Sequence, residues 1–278
     1  MINNSRFYRA KNLTEVLYHL KNVNNLHIYS GGTSIKQSEN DTLLELGEDC
    51  LFLSNCDELK KIEKHERYLL FGSMVTLQQI LNLGESNIPS FIYQAIESIA
   101  NPLVKNKATL AGNICSSDFY HTLYAPLLAL DARLEIHTPS ETNIVQMSKF
   151  TGIDKNQILT SIRIPLTDWD ISLFFRTGNE GKITDISNSF TFLAKTQKDI
   201  LNDLRIAFCG KLKIRSTELE NSLIGSHLPL SKKTVEMAIE KAATIFDQEI
   251  EKSETKNFHP MIKTQFLNLL RKSLERLM

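Results

Sequence analysis

Glycine is scarce in this chain: 11 of 278 residues, about 4% against a usual ~7%. Each glycine position therefore carries information. Cysteine is scarcer still, and Cys50, Cys56, Cys115 and Cys209 are scattered with no CxxC pair. That pattern fits a cytoplasmic compartment. It also argues against an iron–sulfur cluster built from this chain alone, which needs about four converging thiolates. The four thiols read instead as small buried or half-buried residues. There is no excess of either charge, with 32 Lys+Arg against 32 Asp+Glu. Nucleic acid is thereby disfavoured as a partner, because phosphate binding draws on a clustered basic excess. No apolar run approaches the ~18 residues of a membrane span. The opening Met1–Tyr8 lacks the apolar core of a secretory signal. The expectation is a cytoplasmic chain with no membrane partner. What is present is a hydrophobic fraction of 42%, ample for one large composite domain or two moderate ones, with no metal or disulfide staple needed.

Periodicity locates the elements. Leu13, Val16, Leu17 and Leu20 repeat at helical spacing behind Asn12, a natural N-cap with Glu15 three residues on. Leu26–Ser30 alternates as a short strand, and Tyr68–Phe71 reads as another. Phe91, Ile92, Ala95, Ile96 and Ile99 share a helical face that Asn101-Pro102 terminates. Strands follow at 133–138 and 158–164, the second stopped by Pro165. The polar Thr167–Asp170 marks a boundary. Beyond it the pattern predicts strands near 171–176, 189–194 and 204–208, then helices near 232–250 and 261–277. Strands followed by helices suggest a small α+β unit at the C-terminus.

Two segments could carry chemistry through glycine. The only Gly-Gly pair lies in Ser30-Gly31-Gly32-Thr33-Ser34, directly after a strand. Two glycines let a backbone approach a ligand closely, and successive N–H groups can cradle phosphate oxygens. Alone, the motif fits an ordinary tight turn capped by Ser/Thr better than a ligand site. It is neither a P-loop nor a GxGxxG fingerprint. The second segment is Asn106–Cys115, with the small pair Ala111-Gly112 flanked by Thr109 and Asn113. Alone it, too, fits a buried turn between helix and strand better than a ligand site. Ser116–Ala132 reads as a helix. His121 within it reads as structural or exposed, because no positioned carboxylate or nucleophile accompanies it. Spacing assigns no catalytic residue and no metal site.

Taken in this order, the segments resemble the FAD-binding subunit, or middle domain, of the molybdenum hydroxylases, the xanthine dehydrogenase and carbon monoxide dehydrogenase family. Residues 26–35 are similar to its first flavin loop. Residues 106–114, with Ala108-Thr109-Leu110-Ala111-Gly112-Asn113, are similar to its second, about eighty residues away. Phe7-Tyr8-Arg9, Leu127–Ala132 and Ile158–Pro165 fall where the family has similar phrases. The resemblance implies an α+β architecture: a two-subdomain α/β FAD-binding (PCMH-type) domain over 1–167, with subdomains of about 1–57 and 58–167. A small C-terminal domain of antiparallel sheet plus helices would occupy 168–278.

By the same resemblance, Ile28, Tyr29, Ser30, Gly31, Gly32, Thr33, Ser34 and Ile35 form the loop that holds the FAD pyrophosphate. Thr109, Leu110, Ala111, Gly112 and Asn113 form the second. Leu159 would pack near the isoalloxazine, and Arg176 stands where the family often has a cation near the flavin, able to raise its potential. Three positions depart from the family. Ser34 replaces an Asp, Thr122 falls where an Asp commonly follows the second loop, and Tyr29 is bulkier than usual. The implied role is that of an electron-transfer subunit. It would take electrons from the [2Fe-2S] clusters of a ferredoxin-like subunit, themselves fed by a large molybdopterin-binding subunit, and pass them through FAD to NAD or another acceptor. Two alternatives remain: a flavin-free structural subunit of such a complex, and an unrelated α/β nucleotide-phosphate binder.

Overall fold

A computed structural model describes residues 5–35, 46–115, 120–178, 184, 186–253 and 258–278. Its strands are β1 (Arg6–Arg9), β2 (Leu26–Tyr29), β3 (Asp49–Phe52), β4 (Ile62–Lys64), β5 (Tyr68–Gly72), β6 (Arg133–His137), β7 (Thr142–Gln146), β8 (Ile158–Pro165), β9 (Ile171–Thr177), β10 (Asn188–Gln197), β11 (Ile200–Cys209) and β12 (Lys213–Ile214). Its α-helices are α1 (Leu13–Asn22), α2 (Leu77–Leu81), α3 (Ser90–Glu97), α4 (Pro102–Lys105), α5 (Leu110–Ile114), α6 (Tyr124–Ala129), α7 (Thr217–Leu223), α8 (Lys232–Lys252) and α9 (Met261–Leu274). The chain folds into two compact units that interleave in sequence. The first comprises Met1–Gly84, Asn101–Ser117 and Ala132–Pro165; the second comprises Glu85–Ala100, Asp118–Asp131 and Leu166–Met278.

In the first unit β1, β3 and β2 form a parallel sheet in that order. Parallel strands need a crossover between them; β1 and β2 flank β3 on either side, and α1 carries the chain from one to the other. The Asn12 side chain caps α1 by accepting the Glu15 N–H at 2.9 Å. The apolar stripe then buries Val16 and Leu20 with Leu26, Leu51 and Leu53. Asp49, buried inside this sheet, is held by Arg6 at 2.6 Å and by the Tyr8 hydroxyl at 3.2 Å. A second, antiparallel sheet runs β4-β5-β8-β6-β7. Strict alternation sends Leu134 and Ile136 of β6 inward, while Glu135 stays half-buried. Its carboxylate gathers the His137 ring at 3.0 Å, the Thr160 hydroxyl at 3.3 Å and Arg163 at 3.5 Å.

The second unit is built on the antiparallel sheet β12-β11-β10-β9. Phe190, Phe192, Leu204, Ile206 and Phe208 pack with α8 and α9 around Phe246 and Phe266. The Phe266 ring lies 5.2 Å from Phe208 and 5.7 Å from Phe246, centroid to centroid. Helix α3 packs on β9, and α6 packs on β10 and β11. Residues 188–194 of β10 are accordingly buried without a break, as expected of a strand covered on both faces. A buried ion pair ties α7 to this sheet: Glu220 accepts from Arg215 at 3.2 Å and from the Ile206 N–H at 2.9 Å.

The antiparallel sheet with helices near the C-terminus is as the sequence implies. One expectation is corrected. Ser116–Ala132 is not one helix; among its described residues only Tyr124–Ala129 is helical. Pro126 has no N–H and is tolerated only in a first turn, which fixes the helix start near Tyr124. The apolar residues before and after it are buried by packing rather than by helical pairing.

Candidate phosphate-binding loops

The two glycine-bearing segments meet. Strand β2 ends at Tyr29, and the loop that follows turns at Gly32, whose φ is +70°. That conformation is strained for any residue with a Cβ. Gly31 lies against the backbone of the second segment so closely that a Cβ there would overlap the Lys107 carbonyl. Beside it the Thr109 hydroxyl donates to Ser30 Oγ at 3.1 Å. The same Thr109 oxygen accepts the Gly112 N–H at 3.0 Å, which caps α5. A single threonine thus closes its own helix and clasps a loop seventy-nine residues away in sequence.

The second segment is itself fixed from behind. The Leu77 N–H donates to the Ala108 carbonyl at 2.9 Å, and the Leu110 N–H to the Val75 carbonyl at 3.0 Å. Thr109 is consequently buried, as are Leu110 and Ala111, while Gly112 and Asn113 are half-buried. The Val75–Leu77 support and the Lys107 contact have no counterpart in the sequence reading. Both act through backbone atoms, so no side-chain pattern announces them.

The first loop presents the complementary surface. Gly32, Thr33 and Ser34 are exposed, and their N–H groups meet no acceptor among the described residues. The local bond within the loop is a long one, Ile35 N–H to Gly32 carbonyl at 3.4 Å. Successive unused donors on a bend form a concave nest for anionic oxygens. Thr33 and Ser34 add hydroxyls, and no carboxylate stands among these residues to repel a phosphate. A dinucleotide's diphosphate fits this donor set. Leu159 of β8 is buried in the same unit, and Ile28 and Tyr29 are half-buried on β2.

Thr122 and Arg176 belong to the second unit. Fifty-four positions apart, they line one narrow cleft of about 10 Å³ with Tyr120, His121, Ser187, Asn188 and Ser189, room for about one water. Burial holds the thiols near their neutral form. Burial pushes the Cys115 thiol up to about 12 and raises that of the fully buried Cys209 as well. Neither is a nucleophile at neutral pH.

Comparison with known proteins returns one answer. The family described as the FAD binding domain in molybdopterin dehydrogenase matches residues 3–167. The xanthine dehydrogenase FAD-binding subunit of Escherichia coli O157:H7 is 28% identical over 177 residues, 59% of this chain and 59% of that protein. The chain thus spans well under two thirds of that relative's length. The nicotine 6-hydroxylase medium subunit of Paenarthrobacter nicotinovorans is 27% identical over 203 residues, 69% of each chain. In fold, a chain of the reconstituted CO dehydrogenase from Oligotropha carboxidovorans superposes with a TM-score of 0.82 at 19% identity, covering 100% of this chain and 99% of that one.

Proposed function

The chain belongs to the family of FAD-binding domains in molybdopterin dehydrogenases; from that premise we propose that it is the flavin-carrying electron-transfer subunit of a molybdenum-containing hydroxylase or dehydrogenase. The observation that carries this reading is the clasp between the two loops, Thr109 on Ser30 and Gly31 on Lys107. Beside it, Gly32, Thr33 and Ser34 are exposed, and their N–H groups have no acceptor among the described residues. In this reading those groups hold the FAD diphosphate. Neutral, oriented donors suit the task because they bring no mobile counter-charge and are preorganised by the clasp. Gly112 lies beside Ser30 of the first loop. The assignment of Leu159, Thr122 and Arg176 to the flavin rests on the family resemblance alone.

When bound, the flavin supplies a redox centre that can exchange electrons singly or as a hydride. The chain's own part is to grip, orient and shield it, and no proton-transfer side chain is required. The electron source would be the [2Fe-2S] clusters of a partner subunit fed by a molybdopterin-binding subunit, and the sink NAD or another soluble acceptor in the cytoplasm. No helix of the described residues is long and apolar enough to cross a membrane.

The test is direct. The purified chain should be yellow, or should turn yellow with added FAD, at about one flavin per chain by absorbance after gel filtration. A colourless protein that ignores micromolar FAD would sink the reading and favour a flavin-free structural subunit. Co-expression with a small ferredoxin-like chain and a large molybdopterin chain should yield a complex whose flavin is bleached by the complex's reductant and recoloured by NAD.

A further inference from the structure

We propose that the Ser30 side chain is itself a ligand of the diphosphate, its hydroxyl proton left for an anionic oxygen by a one-way hydrogen-bond relay through Thr109. The proposal deepens the flavin reading above and rests on it. The relay starts at Gly112, whose N–H donates to the Thr109 hydroxyl oxygen at 3.0 Å, and the Thr109 hydroxyl donates in turn to Ser30 Oγ at 3.1 Å. An amide N–H can only give, so the direction is set at Gly112. A hydroxyl has one proton and two lone pairs. Thr109 gives its proton to Ser30, and what stands at the end of the relay is therefore a donor. Among the described residues the Ser30 proton meets no acceptor. Hydrogen bonds in series polarise one another, which makes this last proton a better partner for an anion than that of an isolated serine.

Two features bring the end of the relay to the nest. Ser30 precedes Gly32 by two residues, so their Cα atoms are at most about 7 Å apart, and a diphosphate spans a comparable length. A ligand seated on the N–H groups of Gly32, Thr33 and Ser34 therefore comes within reach of Ser30 Oγ. The other feature is Gly112. A Cβ there would lie 3.1 Å from Ser30 Oγ and 3.0 Å from Thr109 Oγ1, so the missing side chain keeps the space beside the relay open. Ser30 is half-buried while Gly32, Thr33 and Ser34 are exposed. Water thus competes less for this hydroxyl than for the loop's N–H groups. A terminal donor also selects its partner: it suits a phosphate oxygen and offers nothing to a cation.

Ser30→Ala removes one oxygen and adds no bulk, so the chain should fold. Titrations of the full chain freed of flavin should show FAD and ADP each bound about tenfold more weakly by the variant, the low end for a hydrogen bond to a charged group. Riboflavin, which carries no phosphate, should bind both proteins alike. Because the variant also opens the clasp, ADP phosphorothioates, with sulfur for one non-bridging oxygen of the α- or the β-phosphate, close a double-mutant cycle. Sulfur is the poorer acceptor. At the phosphate that Ser30 meets, the thio-substitution should weaken binding to the unaltered chain and cost Ser30→Ala nothing further. Losses that simply add for every analogue mean that Ser30 shapes the loop without touching phosphate, and they overturn the proposal. So does a weakening of riboflavin equal to that of ADP, or an FAD Kd within twofold of the unaltered chain's. If the unaltered chain itself fails to bind FAD, the parent reading falls and takes this one with it; an unchanged Ser30→Ala affinity beside normal binding removes the relay alone.

Discussion

A methyl group at position 31 would occupy space already held by the Lys107 carbonyl, and backbone cannot swing aside as a flexible side chain can. Gly31→Ala must therefore push the two loops apart. Overpacking of this kind costs about 1–3 kcal/mol, and here the displacement falls on the clasp. The expected outcome is loss of most bound flavin, read as the absorbance ratio of flavin to protein, with a modest drop in the unfolding midpoint. Gly32 differs. A Cβ there meets only the tip of Ile35 at 3.3 Å, but φ is +70°, which a β-branched residue adopts at a cost of order 1–3 kcal/mol. Gly32→Val should also abolish flavin retention while leaving circular dichroism unchanged, because the damage is confined to an exposed turn. Retained flavin in both variants would dissociate the loops from the cofactor. These two residues are legible in the sequence, since the chain has one Gly-Gly pair and it follows a strand. The atoms they touch are not, because the Lys107 carbonyl is backbone and leaves no mark on the residue pattern.

At the scale of elements, periodicity serves where it has room to repeat. Helices α1, α3, α8 and α9 and strands β5, β6 and β8–β11 each run for at least one full period of apolar side chains, and each is readable. Helices α2, α4 and α5 span four or five residues, little more than one turn, strands β4 and β12 span three and two, and β7 has no buried residue to mark an inward face, so none of them shows a repeating apolar period. The second glycine-bearing segment is assembled from just such short pieces, so its support from Val75–Leu77 is hidden in the sequence. The β6–β8 pair carries a pH prediction. Burial alone would raise the Glu135 carboxyl, but the His137 hydrogen bond and charge, the Thr160 hydroxyl and the Arg163 guanidinium together hold it below the ordinary carboxylate value. A carboxyl depressed in the folded state adds stability above its unfolded pKa, about 4.3, and that contribution is lost as pH falls through the folded value. Urea unfolding at pH 7 should therefore show Glu135→Gln less stable than the parent, with the gap closing as pH is lowered toward 3. A gap that stays constant would mean the network does not select the charged form.

For the whole molecule, the consequential fact is that sequence order and compactness disagree. The family match covers residues 3–167, which suggests a unit that could be cut free. Within that span lie α3 and α6, and both pack on strands that come later, α3 on β9 and α6 on β10 and β11. Helix α3 buries Phe91, Ile92, Ala95 and Ile96, and α6 is buried throughout its length. Removing residues 168–278 takes away the sheet beneath them. Each large apolar side chain returned to water costs about 1.5–3 kcal/mol. Phe91, Ile92, Ile96, Tyr124, Leu127 and Leu128 together then lose on the order of 10 kcal/mol, as much as the whole stability of a typical domain. A fragment ending at 167 should accordingly aggregate, or remain an expanded species that binds hydrophobic dye, even though it holds both glycine loops intact. The full chain should unfold with the flavin signal and the far-ultraviolet signal lost together. Gel filtration and dye binding on the fragment decide the matter: a monomeric, dye-silent fragment that retained FAD would show that α3 and α6 do not need the later sheet, and that the interleaving of the two units is a record of contact without being a condition of folding.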